Sequence, residues 1–210
     1  MLEYKALLLG ELGTNCYLAW DSESKEGVII DPADDGVSIS EEIERLGLKI
    51  KGILLTHGHF DHSLGVIDLK LIYKVPIYLS KADEFLIKRQ KESAEYFLGR
   101  KLSIPKIKKI DRDLRKIKEI KLGQEKLEVI QCPGHSPGSV AFYNKGSKLL
   151  FSGDTLFQAC RGRTDFSYSS TEDIFKSLDK LMKLDEETLV LVGHGDITEI
   201  GIEKERYKNF

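Results

Sequence analysis

The chain has 210 residues, of which 32 are basic and 34 acidic, so its formal net charge is -2 at pH 7. Hydrophobic residues make up 41% and charged residues 31%, which excludes a disordered or fibrous protein and favours one globular domain. No apolar run reaches the roughly 18 residues that a membrane span needs, and the start lacks the basic region of a signal peptide, so we expect a single cytoplasmic domain over residues 1–210 with no membrane partner.

Strand-like and helix-like stretches alternate in the first half of the chain. Short apolar runs predict strands at 15–20, 27–30, 51–56 and 76–80. Helices are predicted at 41–47, with Ser40 as the N-cap residue, at about 62–73 and near 81–91. This alternation indicates an α/β protein with helices outside its sheets.

The second half begins with a charged stretch and then becomes rich in strands. Residues about 83–121 are interpreted as a helical and charged elaboration of the domain. Within them, the run 100–121 has ten Lys or Arg against three Asp or Glu; we interpret it as a solvated face or lid, with an anionic substrate or RNA as the alternative. Further on, strands are predicted at 127–132, 139–144, 148–153 and 188–193, and helices at 171–183 and 199–208.

Three histidines and one aspartate lie within six residues directly after the strand predicted at 51–56. They are His57, His59, Asp61 and His62, in the run HGHFDH. In an extended segment His57 and His59 point the same way and can hold one divalent ion. Asp61 and His62 lie past the turn and can hold a second ion. Imidazole and carboxylate groups suit Zn²⁺, Fe²⁺ and Mn²⁺, so the run predicts a metal site.

The other two histidines and a further aspartate also follow predicted strands. His135 lies in the turn PGHSPG, Asp154 in SGDT and His194 in GHG. Loops at strand ends are where active sites are usually built. Every histidine of the chain therefore lies at such a position.

These motifs, in this order, resemble the metallo-β-lactamase superfamily over about residues 7–208. The resemblance implies an α/β fold of four layers, an αββα sandwich, with the metal site at one edge between two sheets. It also implies two divalent metal ions, zinc with iron or manganese as alternatives, and a hydroxide between them. By the same resemblance, the first metal is bound by His57, His59 and His135, the second by Asp61, His62 and His194, and both by Asp154.

Three further runs of sequence narrow the choice of branch within the superfamily. The runs GDTLF at 153–157 and GRTDF at 162–166 resemble glyoxalase II and persulfide dioxygenases, and the C-terminal run from Gly193 to Arg206 resembles short glyoxalase II-like hydrolases. The resemblance implies a hydroxyacylglutathione hydrolase-like enzyme whose metal-bound hydroxide attacks a small anionic thioester, with Asp61 as the catalytic residue that accepts a proton.

The alternatives are a mononuclear iron persulfide dioxygenase and another ester, lactone or nucleic-acid hydrolase of the superfamily. The dioxygenases usually read CGRTDF, whereas here Arg161 separates Cys160 from the GRTDF run, and they usually carry Asp where Gly195 follows His194. Both departures favour the two-metal hydrolase. A nucleic-acid partner is not expected.

Several residues outside the motifs are candidates for supporting roles. Asp31, which follows the strand at 27–30, either orients a ligand histidine through its second ring nitrogen or is a turn residue before Pro32. The cysteines Cys16, Cys132 and Cys160 are expected to be buried thiols. Candidates for binding a substrate carboxylate, with surface ion pairs as the alternative, are Arg163, Lys204, Arg206, Tyr207 and Tyr143.

Overall fold

Two six-stranded sheets lie face to face in the computed structural model, which describes residues 1–207. The first sheet contains, in spatial order, β1 (Leu2–Leu9), β2 (Thr14–Asp21), β3 (Glu26–Ile30), β4 (Lys49–Leu54), β5 (Ile77–Leu79) and β6 (Arg112–Asp113). Its first two pairings are antiparallel and its last three are parallel. Parallel neighbours need crossover connections, and these are α1 (Gly36–Leu46), α2 (Val66–Tyr73), and α3 (Glu84–Lys88) with α4 (Gln90–Leu98).

The second sheet is mostly antiparallel. Its strands are β7 (Glu119–Leu122), β8 (Glu125–Gln131), β9 (Val140–Asn144), β10 (Leu149–Gly153), β13 (Leu189–Val192) and β14 (Thr198–Glu199). Only β10 and β13 pair in parallel, connected through α5 (Thr171–Leu181). A small hairpin of β11 (Leu156–Phe157) and β12 (Cys160–Arg161) follows β10, and α6 (Ile200–Tyr207) follows β14.

Three clusters of buried side chains separate four layers. Tyr17 and Phe142 belong to the cluster between the two sheets. Ile39 of α1 packs in the cluster on the outer face of the first sheet, and Leu178 of α5 in the cluster on the outer face of the second. The predicted αββα sandwich is confirmed. Because both faces of each sheet are covered, β2 is buried along its whole length.

The predicted helices and strands are found with shifted ends. Helix α1 begins at Gly36 rather than near 41, because the side chain of Asp35 accepts a hydrogen bond from the backbone N–H of Ser38 at 3.0 Å and caps the helix there. Ser40, the predicted cap, lies inside the helix and bonds to the Tyr73 hydroxyl. The helix predicted at 199–208 is described to Tyr207, and its predicted last residue lies outside the described residues.

The segment 83–121 contributes a strand to each of the two sheets. After α3 and α4, its strands β6 and β7 complete the edges of the first and second sheets. Several residues of its basic run are paired on the surface, among them Arg100 with Glu11 and Arg115 with Asp113. In the described part of the chain, no helix combines the length and apolar character that crossing a bilayer requires.

Candidate metal centre

The predicted metal-binding residues meet at one edge of the sandwich. The run 57–62 follows β4 and ends in a 3₁₀ turn, Phe60–His62. His135 follows β8, Asp154 follows β10 and His194 follows β13. Since β4, β10 and β13 belong to parallel pairs, their carboxyl ends open at the edge where sites form in α/β sheets. The fold therefore gathers residues that are up to 137 positions apart in the sequence.

The first nitrogen cluster joins His57, His59 and His135. The Nδ1 atom of His59 lies 2.9 Å from Nε2 of His57 and 3.1 Å from Nε2 of His135. Three nitrogens bound to one tetrahedral ion at about 2.1 Å are separated by about 3.4 Å. The three atoms are thus near the spacing that a common cation imposes.

The second cluster joins His62, His194 and Asp61. The Nε2 atoms of the two imidazoles are 3.2 Å apart, and Oδ2 of Asp61 lies 3.2 Å from Nε2 of His194 and 3.6 Å from Nε2 of His62. The hydroxyl of Thr14 donates to the same carboxylate oxygen at 3.4 Å. Two imidazoles and a carboxylate form a donor set that suits zinc, iron or manganese.

The carboxylate of Asp154 lies between the two clusters. Its Oδ2 is 3.6 Å from Nε2 of His135, in the first cluster, and 3.7 Å from Nε2 of His194, in the second. Its Oδ1 is 3.4 Å from Nε2 of His62, is buried and has no hydrogen-bond partner among the described residues. Buried polar atoms are normally paired, and a cation would satisfy this one. The donor set therefore fits the group that the sequence motifs imply.

Hydrogen bonds at Nδ1 orient four histidines, which are His57, His62, His135 and His194. Nδ1 of His62 donates to Asp31 at 2.9 Å, Nδ1 of His135 donates to the carbonyl oxygen of Arg163 at 2.9 Å, and Nδ1 of His194 donates to the carbonyl oxygen of Leu12 at 3.2 Å. These bonds direct each Nε2 into the centre, where a bound cation would take the place of a proton on that nitrogen.

Asp31 orients two of these rings. Besides His62, it accepts the hydroxyl hydrogen of Thr56 at 2.6 Å and the backbone N–H of Thr56 at 2.7 Å. Because that hydroxyl donates to Asp31, its oxygen accepts from Nδ1 of His57 at 3.1 Å. The backbone of Asp31 has a positive φ of 50°, which turns the chain sharply between the strand and Pro32.

The ring of His59 has the opposite orientation, and Tyr168 accounts for it. The Nε2 atom of His59 lies 2.9 Å from the Tyr168 hydroxyl, and Nδ1 is the nitrogen that faces the other imidazoles. Phe166 stacks on Tyr168 with ring centroids 5.3 Å apart and holds the phenol in place. Sequence patterns gave no signal for Tyr168, which lies in an irregular loop 109 positions from His59.

The pKa of His59, in the first cluster, and the pKa of His62, in the second, shift in opposite directions. Burial, together with neighbouring imidazoles, lowers the pKa of His59 to about 3. Burial also acts to lower the pKa of His62, but Asp154, Asp61 and Asp31 outweigh it and raise the pKa of His62 to about 10. Burial raises the pKa of Asp61, yet His62 and His194 more than compensate, so that pKa falls below its ordinary value. The carboxylates thus create a negative potential that favours a cation.

A buried carboxylate connects two of the ligand-bearing loops. Oδ2 of Asp83 accepts the backbone N–H of Gly58 at 2.9 Å and the hydroxyl of Ser136 at 2.5 Å, and Oδ1 accepts the backbone N–H of Gly138 at 2.6 Å. A Cβ atom at Gly138 would lie 2.6 Å from Cγ of Asp83, so only glycine allows this approach. The sequence pattern predicts only a helix near Asp83 and gives no signal that its carboxylate connects the two loops.

A cavity of about 410 Å³ opens beside the two clusters. Of the five residues predicted to bind a substrate carboxylate, Arg163 lines it. Tyr143 is buried under α5, while Lys204 pairs with Glu186, Arg206 with Glu203, and Tyr207 bonds to Asp179. Within residues 1–207 these four are outside the cavity lining: Tyr143 is on β9, and the other three are on α6, which contributes no residue to the lining.

Two residues of the cavity lining, Cys160 and Arg161, were not predicted to lie there. Cys16 and Cys132 are buried, but Cys160 is exposed and lines the cavity, so the expectation of three buried thiols is wrong for Cys160. Arg161, beside it on β12, also lines the cavity. Its proximity to the GRTDF run was the available signal in the sequence.

Known proteins share the sequence and the fold of this chain. The family described as Metallo-beta-lactamase superfamily matches residues 9–194. Hydroxyacylglutathione hydrolase GloC of Haemophilus influenzae is 38% identical over 195 residues, which cover 90% of this chain and 89% of that protein. The crystal structure of the BLEG-1 B3 metallo-beta-lactamase has a TM-score of 0.89 and 35% identity and covers 97% of both chains.

A second solved structure is similarly close. The crystal structure of TTHA1623 in a di-iron-bound form has a TM-score of 0.84 and 36% identity, and it covers 95% of this chain and 96% of that one. The range 9–194 matched by the family contains every residue of the two clusters described above.

Proposed function

The chain belongs to the metallo-β-lactamase superfamily, and from that premise we propose that it is a two-metal hydrolase of thioesters. The position of the Asp154 carboxylate carries the proposal, because it lies within 3.7 Å of imidazoles from both clusters. We assign the first metal to His57, His59 and His135, the second to Asp61, His62 and His194, and both to Asp154. Zinc is the proposed metal, with iron or manganese as alternatives.

The chemistry follows from the donor set and from the leaving group. Two divalent ions at this centre would polarise a carbonyl group and lower the pKa of a bound water from about 16 to about 7. In the net reaction the acyl carbon–sulfur bond breaks, an oxygen from water bonds to the acyl carbon, and the sulfur leaves as a thiolate that takes up a proton. A thiol pKa of about 8.5 makes that departure possible without a dedicated acid.

Within this scheme the side chain of Asp61 has two roles. Its carboxylate is held charged by His62 and His194, so it can bind a cation and accept a proton. It is also fixed by Thr14, which keeps it aimed at the cavity that it lines. The thioester preference is further supported by the similarity to a hydroxyacylglutathione hydrolase.

We expect two metal ions per chain, because the seven donors exceed the three or four that one ion needs. Protein purified without added metal and then dialysed against zinc, iron or manganese should contain two equivalents by plasma mass spectrometry. A stoichiometry of one under metal-replete conditions, with Asp61 and His62 not bound, would favour the mononuclear dioxygenase.

The metal-loaded protein is expected to hydrolyse activated thioesters such as a hydroxyacyl-glutathione. Release of the thiol, followed with a thiol-reactive dye, measures the reaction directly. The matched control is the same protein after treatment with a chelator, which should lose activity and regain it when metal is restored. Oxygen consumption with glutathione persulfide, together with no thiol release, would contradict the proposal.

Replacing Tyr168 by Phe is expected to weaken metal binding at the first cluster about tenfold, because partners of ligand histidines contribute about 10- to 100-fold to affinity. Competition with a chromophoric chelator measures this without relying on turnover. Tyr96→Phe is the control, since Tyr96 is exposed on α4. Equal affinities in both variants would show that other contacts orient His59.

A further inference from the structure

The cavity beside the metal centre has two unlike walls. One comes from the first half of the chain and includes Leu12, Phe60, Leu86 and Phe97. The other comes from residues 157–168 and includes the aromatic rings of Phe157, Phe166 and Tyr168 together with Arg161 and Arg163. Metal-binding residues of both clusters also line the cavity. A substrate whose reacting carbonyl reaches the centre therefore meets an apolar surface from the first half of the chain, and a second surface on which arginines accompany the aromatic rings.

The first wall presents aromatic and aliphatic carbon toward the centre. The rings of Phe60 and Phe97 stack with centroids 5.8 Å apart and planes 20° from parallel. Phe60 and Leu86 are buried, whereas Phe97 is 49% exposed and Leu12 is 45% exposed. Ser93 is the polar residue of this wall in the described lining. Covering the exposed carbon with an apolar group would be favourable, because each buried methylene contributes to binding.

The second wall carries a single unbalanced positive charge. Arg163 forms a two-pronged ion pair with Asp165, with N···O distances of 2.6 and 2.5 Å, so its charge is compensated. The guanidinium group of Arg161 lies over the ring of Phe175, 5.1 Å from its centroid, and donates to the carbonyl oxygen of Gly162 at 3.1 Å and to the Thr164 hydroxyl at 3.2 Å. No carboxylate in the described part of the chain forms an ion pair with it. Arg161 is therefore the group on this wall that an anion would approach.

We propose that the cavity selects thioesters with an apolar acyl group of about four to six carbons on the Phe97 wall and an anionic thiol portion at Arg161. The cavity volume of about 410 Å³ is at the small end of the range for small-molecule sites, about 300–1,000 Å³. This inference rests on the proposed thioesterase function and specifies its substrate class. It differs from a preference for short polar acyl groups, which would leave Phe97 and Leu12 uncovered.

The test compares S-acetyl and S-hexanoyl derivatives of 3-mercaptopropionate with the metal-loaded protein. Each buried methylene is worth about fourfold, so kcat/KM for the hexanoyl ester should exceed that for the acetyl ester by at least about tenfold. Phe97→Ala should reduce this ratio several-fold, and Leu12→Ala provides a second, independent variant of the same wall. Leu71→Ala, which removes an exposed apolar side chain of α2 outside the lining, should leave the ratio unchanged.

The role of the Arg161 charge is tested separately, and failure of this inference can be distinguished from failure of the thioesterase function. Arg161→Gln should lower kcat/KM for the anionic thioester relative to a neutral S-hexanoyl mercaptoethanol.

Calorimetric titration should show hexanoate binding at least about tenfold tighter than acetate. Turnover with a flat acyl-chain ratio would overturn this inference and leave the thioesterase function standing. If neither thioester were turned over but hexanoate still bound more tightly than acetate, the thioesterase function would be overturned. The apolar wall would then still stand as a binding surface.

Discussion

Replacing Asp154 by Asn is expected to remove metal from both positions and to lower thioester turnover by more than about 10³-fold, or roughly 4 kcal/mol of transition-state stabilisation. Asn has nearly the same shape but no negative charge. The carboxylate approaches His135 and His62, which belong to different clusters, so its charge acts on both ions. Electrostatic attraction to a dicationic centre is the main interaction that is lost. Metal content by plasma mass spectrometry and turnover of the same sample test this.

His194→Ala is the matched comparison for Asp154→Asn. His194 contacts the second cluster through Nε2 and has no contact with His57 or His59 in the described structure, so this variant should keep one ion and lose the other. Circular dichroism should show that both variants remain folded. If Asp154→Asn retained two tightly bound ions and normal turnover, the assignment of Asp154 as the bridge would be wrong.

Replacing Asp83 by Asn is expected to lower the free energy of unfolding by roughly 2–4 kcal/mol. Asp83 is fully buried and accepts three hydrogen bonds, from Gly58, Ser136 and Gly138. An amide offers one oxygen where the carboxylate offers two, so its NH₂ group faces at least one donor. Two loops that carry His57, His59 and His135 lose their common anchor as a result.

Urea unfolding in the presence of a chelator measures this effect apart from metal binding. Asp35→Asn is the control: Asp35 is exposed and caps α1, and Asn is an equally good N-cap residue, so the change should stay within about 0.5 kcal/mol. Equal losses in the two variants would show that the buried anchor contributes no more than a surface cap.

Local patterns in the sequence predicted much of this structure. Short apolar runs located β2, β3, β9 and β10 because these strands are almost wholly buried and carry few polar residues. The runs that located β4 and β8 are the apolar parts of strands that are only partly buried. The HGHFDH run predicted a metal site because four donors lie within six residues. The positions of the ring nitrogens could not be predicted in this way, since they depend on partners such as Arg163 and Tyr168 that are distant in sequence.

The roles of charged residues were predicted less well from the sequence than the apolar strands were. Lys204 and Arg206 have the chemistry to bind a carboxylate, but they pair with Glu186 and Glu203 instead. Strand β1 was not predicted, because Tyr4 and Lys5 interrupt its apolar pattern and it forms the edge of the first sheet. In both cases the deciding factor is what lies opposite in the folded protein, and a single sequence does not contain that information locally.

The uneven spacing of the metal-binding residues has a consequence for how the protein acquires its metals. His57, His59, Asp61 and His62 are neighbours in the chain, so they can chelate an ion before any sheet has formed. His135, Asp154 and His194 arrive only when both sheets have docked. Binding to the unfolded chain reduces the stabilisation that a metal gives to the native state. Thermal stability should therefore rise less with metal concentration than the affinity of the folded centre alone implies.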